Sequence, residues 1–512
     1  MKFNFSKHGI KGREKALQRF FEIIPGFTSW AILIGMFVLS FTRPFIAVAI
    51  IIAFLLYWLL KLAYLTIFLI ISYFLLSREK NTDWMKRARD LKNKTKGAEP
   101  PSLEDIYHLV IIPIAKETKD IVEPGIQSIA GGTFPSEKIL VVLAVEERAK
   151  EEVKKGAEDI RAKYREKFLD LLVAIHKDGL PGEARVKGAN ATNAAKAAAE
   201  YLKAKSFSFE NVIVSCFDSD TVVNPQYFAC LTYSFMACPD RTRSSFQPIP
   251  VYYNNIWDVP GFARVLETGS SFFQLIEATN PEKLVTFSSH SMSFKALVEV
   301  GYWPVDMISD DSAIFWKSYI HFDGNYRVIP MYTTVSMDIV AANTWWKTIV
   351  NEYKQKRRWA WGVENFPIVM RAFLKNKKIS LFNKIRLSFK LFEGHISWAT
   401  WAFLLTVIAW LPLLFAGRHF RESVLYYSAP RIDATIFNLA SFSLITSIAL
   451  SICLLPKQKM KHPLLVRIIF GLQWLLIPVI ILFLSAIPAL DAQTRLMLGK
   501  RLEFWVAQKK KE

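Results

Sequence analysis

The stretch NVIVSCFDSDTVVNP, residues 211–225, joins a short run of β-branched and apolar residues to two carboxylates one residue apart, Asp218 and Asp220. A continuous apolar run of that length reads as a strand buried on both faces, the kind found in parallel sheets. Three similar runs lie upstream: LVIIPIA from Leu109, ILVVLAV from Ile139 and FLDLLVAIH from Phe168. Helix-like segments separate them, TKDIVEPGIQSIA, EERAKEEVKKGAEDIRAKYREKF and NATNAAKAAAEYLKAK. Strand and helix in alternation predict an α/β domain with a mostly parallel sheet in the middle of the chain.

Ligands of such sheets gather beyond the carboxyl ends of the strands. Those ends are acidic here: Pro113 and Glu117 follow the first strand, Glu146 and Glu147 the second, Asp218 and Asp220 the fourth. Two readings stand for each, because a loop carboxylate also caps helices and stabilises turns. Carboxylates at i and i+2 can face a hard cation, and Mg²⁺ or Mn²⁺ takes one or two protein carboxylates while water and phosphate oxygens fill its other positions. The expected ligand is therefore a nucleoside diphosphate held through Mg²⁺ or Mn²⁺. Neither a P-loop nor a G-x-G-x-x-G after a strand is present to hold phosphate by backbone alone.

The rest of the chain is far more apolar. Of 512 residues 52% are hydrophobic, enough for a core of ordinary size and several membrane spans. Between Trp30 and Leu76 only Arg43 and Lys61 carry charge; a span needs roughly 20 apolar residues, so this length holds two, broken at Arg43 and Pro44. It is too long for a cleaved signal peptide. Further runs cover Ile396–Ala416, Ala434–Leu455 and Leu464–Leu490. The expected organisation is a basic N-terminal segment (1–27), two spans (28–77), the α/β domain (78–345), a segment with interfacial helices (346–394), about three spans (395–490) and a basic tail (491–512).

A formal charge of +20 on such a chain points to anionic lipid head groups as partners and not to nucleic acid. Basic flanks on both sides of the first two spans put the N-terminus and the α/β domain in the cytoplasm, in an inner (plasma) membrane protein. The loop PKQKMKHP, Pro456–Pro463, agrees with this. The basic tail does not, since five spans would put it outside; a re-entrant C-terminal segment or a different span count would reconcile the two. The four cysteines form no C-x-x-C pair and read as buried free thiols, and the histidines show no zinc-site spacing.

Two later segments carry chemistry. In GYWPVDMISDDSAIFWKSY, residues 301–319, Asp310 and Asp311 are adjacent. Neighbouring like charges raise each other's proton affinity, which moves a carboxylate toward general-base use; the alternative is a solvated helix start with Ser309 as N-cap. In NEYKQKRRWAWG, residues 351–362, Gln355, Arg358 and Trp359 share one helix face. That face either lies in the head-group interface or holds a diphosphate and walls a sugar site. Downstream, the amphipathic segment Phe366–Lys390 has the composition of an interfacial helix, or of a surface helix.

Taken in order, these pieces resemble the processive branch of family 2 glycosyltransferases, the group that includes cellulose, chitin and hyaluronan synthases. The likeness runs from about Leu109 to Gly362 and extends to the flanking spans. FDSD resembles the family's D-x-D, SDD its T/E-E-D segment, VKGANATNAA (186–195) its K-A-G-N-x-N-x-A segment and IIPIAKE its opening P-x-x-x-E; QKRRW matches Q-x-x-R-W in full. The resemblance implies a GT-A-like nucleotide-diphospho-sugar transferase domain flanked by transmembrane helices. It implies that Asp218 contacts the nucleotide sugar and Asp220 the metal, that Asp311 is the base with Asp310 able to share the role, and that Pro113, Glu117 and Glu146 surround the nucleoside. Lys187 would lie near the diphosphate, and Gln355, Arg358 and Trp359 would close over donor and acceptor. Two departures stand out. The second strand ends AVEERA where many relatives have a D-D-G-S-like turn, and Ser289, His290 and Ser291 replace small glycines at the acceptor entrance. His290 is thus an acceptor contact or a hydrogen-bonded structural histidine.

The function so implied is an inverting transfer of sugar from a nucleotide sugar, UDP-linked by the resemblance, to a growing polysaccharide. Transfer of one sugar to a lipid acceptor uses the same donor chemistry. A catalytically silent scaffold fits less well, because Asp218, Asp220, Asp311 and Arg358 are all present. A transporter fits less well still, for want of a repeated pair of broken helices.

Overall fold

The computed structural model describes residues 3–6, 9–93, 101–415, 417–456 and 463–502. Residues 457–462 of the basic return loop and the tail beyond residue 502 lie outside that set. Two long helices come first, α1 (Gly12–Thr42) and α2 (Pro44–Lys80), parted at Arg43. Pro44 explains the break: it has no N–H for an intrahelical bond, yet its fixed φ suits a first helical turn.

The middle of the chain forms one eight-stranded sheet in the order β3-β2-β1-β4-β7-β6-β8-β5. Its strands are β1 (Tyr107–Ile114), β2 (Ile139–Glu146), β3 (Asp170–His176), β4 (Val212–Cys216), β5 (Val222–Val223), β6 (Ser244–Val251), β7 (Ser291–Ser293) and β8 (Arg327–Ser336). Each of the four apolar runs is a strand, and β1 to β4 pair only in parallel among themselves. Beyond β4 the sheet is mixed: β7 runs antiparallel to β4 and β6, and β6 runs parallel to β8.

Period-two alternation divides each parallel strand between two cores. Leu109, Ile111, Leu140 and Val142 face one side, where α5 (Lys187–Ala204) packs; Val110, Ile112, Val141 and Leu143 face the other, against α3 (Lys119–Ala130), α4 (Glu151–Tyr164) and α6 (Tyr227–Ala237). The buried face of α5 is Ala191, Ala194, Ala195, Ala198 and Ala199, so a strong helix former lies unusually close to the sheet. Its first turn is tighter still. A Cβ on Gly188 would stand 2.4 Å from the Pro304 carbonyl oxygen and 2.9 Å from Asp310 Cβ, which explains a glycine there.

Further helices complete the domain and the membrane part: α7 (Gly261–Ala278), α8 (Asp310–His321), α9 (Trp345–Ala360), α10 (Asn365–Lys375), α11 (Leu381–Thr406), α12 (Val424–Leu454) and α13 (Leu464–Met497). Among the described residues α1, α2, α12 and α13 are long and apolar enough to cross a membrane, and α11 with Ile408–Leu414 makes a fifth if that pair, bent by 44°, counts as one span. The chain is a membrane protein.

The amphipathic segment Phe366–Lys390 is not one interfacial helix. Its first part is α10, whose Ile368, Val369 and Ala372 are buried in the α/β core; its second part opens α11, where Leu381, Phe382, Ile385 and Phe389 are exposed along one face. Helix α13 touches the domain at two distant points. Arg264 on α7 donates to Gln473 at 3.2 Å, and Tyr353 and Arg357 on α9 donate to Asp491 at 3.1 and 2.8 Å. Farther along, Arg19 of α1 donates to the carbonyls of Leu496, at 2.8 Å, and Met497.

Candidate active site

Strand order reverses beside β1, with β2 on one side and β4 on the other, and the acidic residues gather at that switch point. The Phe217 N–H donates to the Ile111 carbonyl at 3.0 Å, which carries the β4 backbone to the β1 edge just before Asp218. Asp218 accepts from Ser288 Oγ and lies 2.8 Å from Lys187 Nζ. Two residues on, Asp220 is buried, its Oδ2 accepting the Asp338 N–H at 2.8 Å.

Lys187 is the hub. From the first turn of α5 its ammonium lies 3.1 Å from Asp311 as well as 2.8 Å from Asp218, so one cation joins residues 93 positions apart at the end of β4 and the start of α8. Burial works against that charge, but the fields of Asp218 and Asp311 outweigh it and hold the lysine well above its ordinary pKa. Cys216 is next to this cluster, yet burial pushes its thiol up, which removes it as a nucleophile.

The adjacent pair Asp310 and Asp311 divides. Asp311 is a quarter exposed, with 26% of its side chain open. Asp310 is sealed behind Gly188 at 2% exposure, and burial first, then the field of Asp311, pushes its carboxyl well above the usual range. Burial thus separates the two: Asp310 is enclosed, where its protonated form is favoured, and Asp311 is open, which makes Asp311 the better placed of the pair for the base role. His290 is enclosed as well. Its ring is fully buried, Nδ1 donates to the Phe287 carbonyl at 2.9 Å, and burial lowers its pKa, so it stands as a neutral structural histidine 3.8 Å behind Asp311 and not as an acceptor contact.

Ser309 occupies the N-cap position of α8, but its hydroxyl makes no cap. Glu364 instead holds the turn just ahead of the helix: its Oε1 accepts the N–H groups of Ile308 and Ser309, both at 3.0 Å, and the Ser309 hydroxyl at 2.7 Å, while Oε2 accepts Trp361 Nε1 at 3.0 Å.

Of the Q-x-x-R-W residues, Gln355 is buried with no hydrogen-bond partner for its Oε1. Arg358 is half-buried, and its charge acts on Asp310. Trp359 is half-buried 6.0 Å from the Tyr252 ring; Lys356 Nζ lies 3.7 Å over its indole while pairing with the fully buried Glu267 at 2.8 Å. A second buried acid, Glu352, adjoins that pair, and burial, then the field of Glu267, raises its pKa well above the usual range.

Pro113, Glu117 and Glu146 are gathered apart from the Lys187 hub, at the ends of β1 and β2. Glu117 accepts the N–H groups of Ala115 and Lys116 at 2.8 and 2.9 Å and so braces its own loop. Pro113 is half-buried beside Ala144. Glu146 pairs with Arg148 at the wall of a cleft of about 120 Å³ that His176 and Val186 also line. Val186, in that wall, immediately precedes Lys187 in the chain.

Among the described residues no three or more of His, Cys, Asp and Glu form a ready metal cage. Asp218 and Asp220 nevertheless suit a divalent ion of the Mg²⁺ type, which needs only one or two carboxylates, and the ammonium already drawn to Asp218 marks the place as one where positive charge is stabilised.

Sequence reasoning missed Ser288, Asp338, Glu364, Tyr252 and Glu267. The only signal was SSHS, and there Ser289 adopts φ +60°, a left-handed conformation costing roughly 1–2 kcal/mol in a non-glycine residue; its hydroxyl is 2.9 Å from Thr221 Oγ1.

A family model described as glycosyl transferase family group 2 matches residues 213–486, more than half of the chain. The poly-beta-1,6-N-acetyl-D-glucosamine synthase of Staphylococcus epidermidis strain RP62A is 25% identical over 366 residues, 69% of this chain and 76% of that protein. The synthase of the same name from Staphylococcus aureus strain COL is 28% identical over 193 residues, 37% of this chain and 43% of that one. Among solved structures, the mannosyltransferase PcManGT from Pyrobaculum calidifontis, in complex with GDP-Man and Mn²⁺, aligns with a TM-score of 0.40 and 15% identity over 74% of this chain and 99% of that one.

Proposed function

Because this chain belongs to glycosyl transferase family group 2, we propose that it is an inverting membrane glycosyltransferase that extends a polysaccharide of N-acetylglucosamine type from a UDP-sugar donor. The observation that carries this reading is the single ammonium of Lys187 shared by Asp218 and Asp311. A donor-side acid and an acceptor-side acid stand on either side of one charge, the arrangement a one-step displacement at an anomeric carbon requires.

Asp311, a quarter exposed, takes the proton of the attacking acceptor hydroxyl. Lys187 and Arg358 stabilise the charge that grows on the departing diphosphate. Asp218 and Asp220 would hold Mg²⁺ or Mn²⁺, which when bound supplies further neutralisation of the same leaving group. Gln355 offers its unmatched amide oxygen to the donor, and Trp359, fixed on one face by Lys356, offers the other to an acceptor sugar. Glu146 in the cleft wall, with Pro113 and Glu117 at the end of the neighbouring strand, would surround the nucleoside. The sugar assignment draws on the names of the Staphylococcus relatives.

The exposed apolar face of α11 supports an interfacial position on membrane lipid, and the flanking charges support a domain facing the cytoplasm of an inner (plasma) membrane. Purified protein in nanodiscs, given Mg²⁺ or Mn²⁺ and a panel of radiolabelled nucleotide sugars, should convert UDP-N-acetylglucosamine into material of high mass. A product limited to one sugar on lipid would replace polymerisation with lipid glycosylation, and inactivity on every nucleotide sugar would remove the reading.

A further inference from the structure

We propose that Glu364 is the positioning residue for Asp311, and that through it the segment following Q-x-x-R-W sets where the base stands. The inference rests on the reading of Asp311 as the base. The first N–H groups of a helix have no intrahelical partner, and a serine at the N-cap ordinarily satisfies one with its own side chain. Ser309 does not. The Ser309 hydroxyl goes instead to the carboxylate of Glu364, 55 residues later, which on the same oxygen accepts the N–H groups of Ile308 and Ser309 in the turn leading into the helix. Asn365 adds a second tie to the same turn, donating to Ser309 Oγ at 3.2 Å and Ser312 Oγ at 3.0 Å.

Those bonds fix the backbone immediately before Asp310 and Asp311, and therefore the direction in which Asp311 leaves α8. The other end of the brace is equally firm, because Trp361 Nε1 holds Glu364 Oε2 and follows directly on the α9 turn that carries Arg358 and Trp359. A carboxylate also complements the positive end of the α8 dipole. The chain thus uses one buried side chain, 1% exposed, to lock base and clamp to a common geometry. A base displaced by an ångström loses much of its effect without any loss of donor binding.

The test compares Glu364→Gln with wild type in nanodiscs, using UDP-N-acetylglucosamine as donor and UDP for binding. Glutamine keeps the shape but puts an NH₂ where an acceptor is needed. The expected result is a fall in kcat of at least about tenfold with donor KM and UDP affinity within about twofold, and partial recovery of kcat in Glu364→Asp, which restores the carboxylate. A kcat within about twofold of wild type, or a KM that rises in proportion to the loss, overturns the proposal. Should Glu364→Gln not be recovered folded, Glu364→Asp decides by the same split: kcat lowered at constant donor KM supports positioning, and unchanged kcat removes it. Asp311→Asn is measured beside them. Full activity there removes the reading of the base, whereas an inactive Asp311→Asn with a fully active Glu364→Gln removes only the present inference.

Discussion

Lys187 Nζ lies 3.1 Å from Asp311 Oδ1, although the two residues start different helices and are joined by no shared strand or loop. The ammonium that meets Asp218 also holds Asp311, the proposed base. Lys187→Met should accordingly lower kcat by about 10²–10³, the scale of losing a preorganised charge at a developing anion. Initial rates in nanodiscs at saturating donor check this; a variant with wild-type kcat would contradict the shared-cation arrangement.

The adjacent aspartates should separate in mutagenesis. Asp311→Asn is expected to lose about 10²–10⁴ in kcat while still binding UDP. Asp310→Asn, which replaces an already neutral buried acid with a neutral amide, should lose less than about tenfold. Equal losses in the two variants would overturn their assignment to different roles.

Gly188 sets the distance between α5 and the turn before α8. Gly188→Ala forces a methyl against the Pro304 carbonyl and Asp310 Cβ, contacts too close for a side chain, so the α/β domain should lose about 1–3 kcal/mol of stability. A thermal melt read by tryptophan fluorescence gives the sign, and an unchanged melting temperature would show that the turn can retreat.

Glu352 gives stability a pH dependence of known direction. Its folded pKa is raised, so it keeps its proton after an unfolded glutamate would have lost it. The folded state then binds more protons, and stability falls as pH rises from the ordinary glutamate range toward the folded value, by up to about 1.4 kcal/mol per pH unit for this one group. Glu352→Gln has no proton to lose and should decline less than wild type as pH rises above the ordinary glutamate range. Parallel melting-temperature curves for the two proteins would remove the argument.

Helix α13 bonds to the domain through Gln473 and again through Asp491, about 27 Å farther along its axis. A helix that crossed the bilayer between those points could not return to the same domain. The C-terminus is therefore expected on the side of the α/β domain, together with the N-terminus, which brings the basic tail into line with the charge rule. Protease access to a C-terminal tag in inside-out vesicles tests this, and protection of the tag would make α13 a full crossing.

Periodicity made the parallel half of the domain legible: four apolar runs became β1 to β4, because strands buried on both faces have no other way to read. The acid pair was legible for the same reason, as the first polar residues after a buried strand. Glu364, Asp338 and Ser288 were not. Each reaches the site by a backbone or hydroxyl contact across 55 or more residues, and nothing local distinguishes such a carboxylate or serine from one in solvent. Composition marks α13 as long and apolar enough for a span, but hydropathy does not show its partners, which lie on α7 and α9 as well as on α1 and α11. Asp310 and His290 show the same limit: position in the chain places them near the site, while the burial that encloses both is invisible in the sequence.

The bond between Arg357 and Asp491 also has a meaning in time. A ribosome delivers α1 and α2, then β1 to β4, before the residues that brace the later helices exist. The base turn then waits for Glu364, and the helix bearing Arg358 waits for Asp491, near the end of the described chain. A half-made chain thus lacks the hydrogen-bond partners of the α8 turn and of Arg357, which only its later part brings.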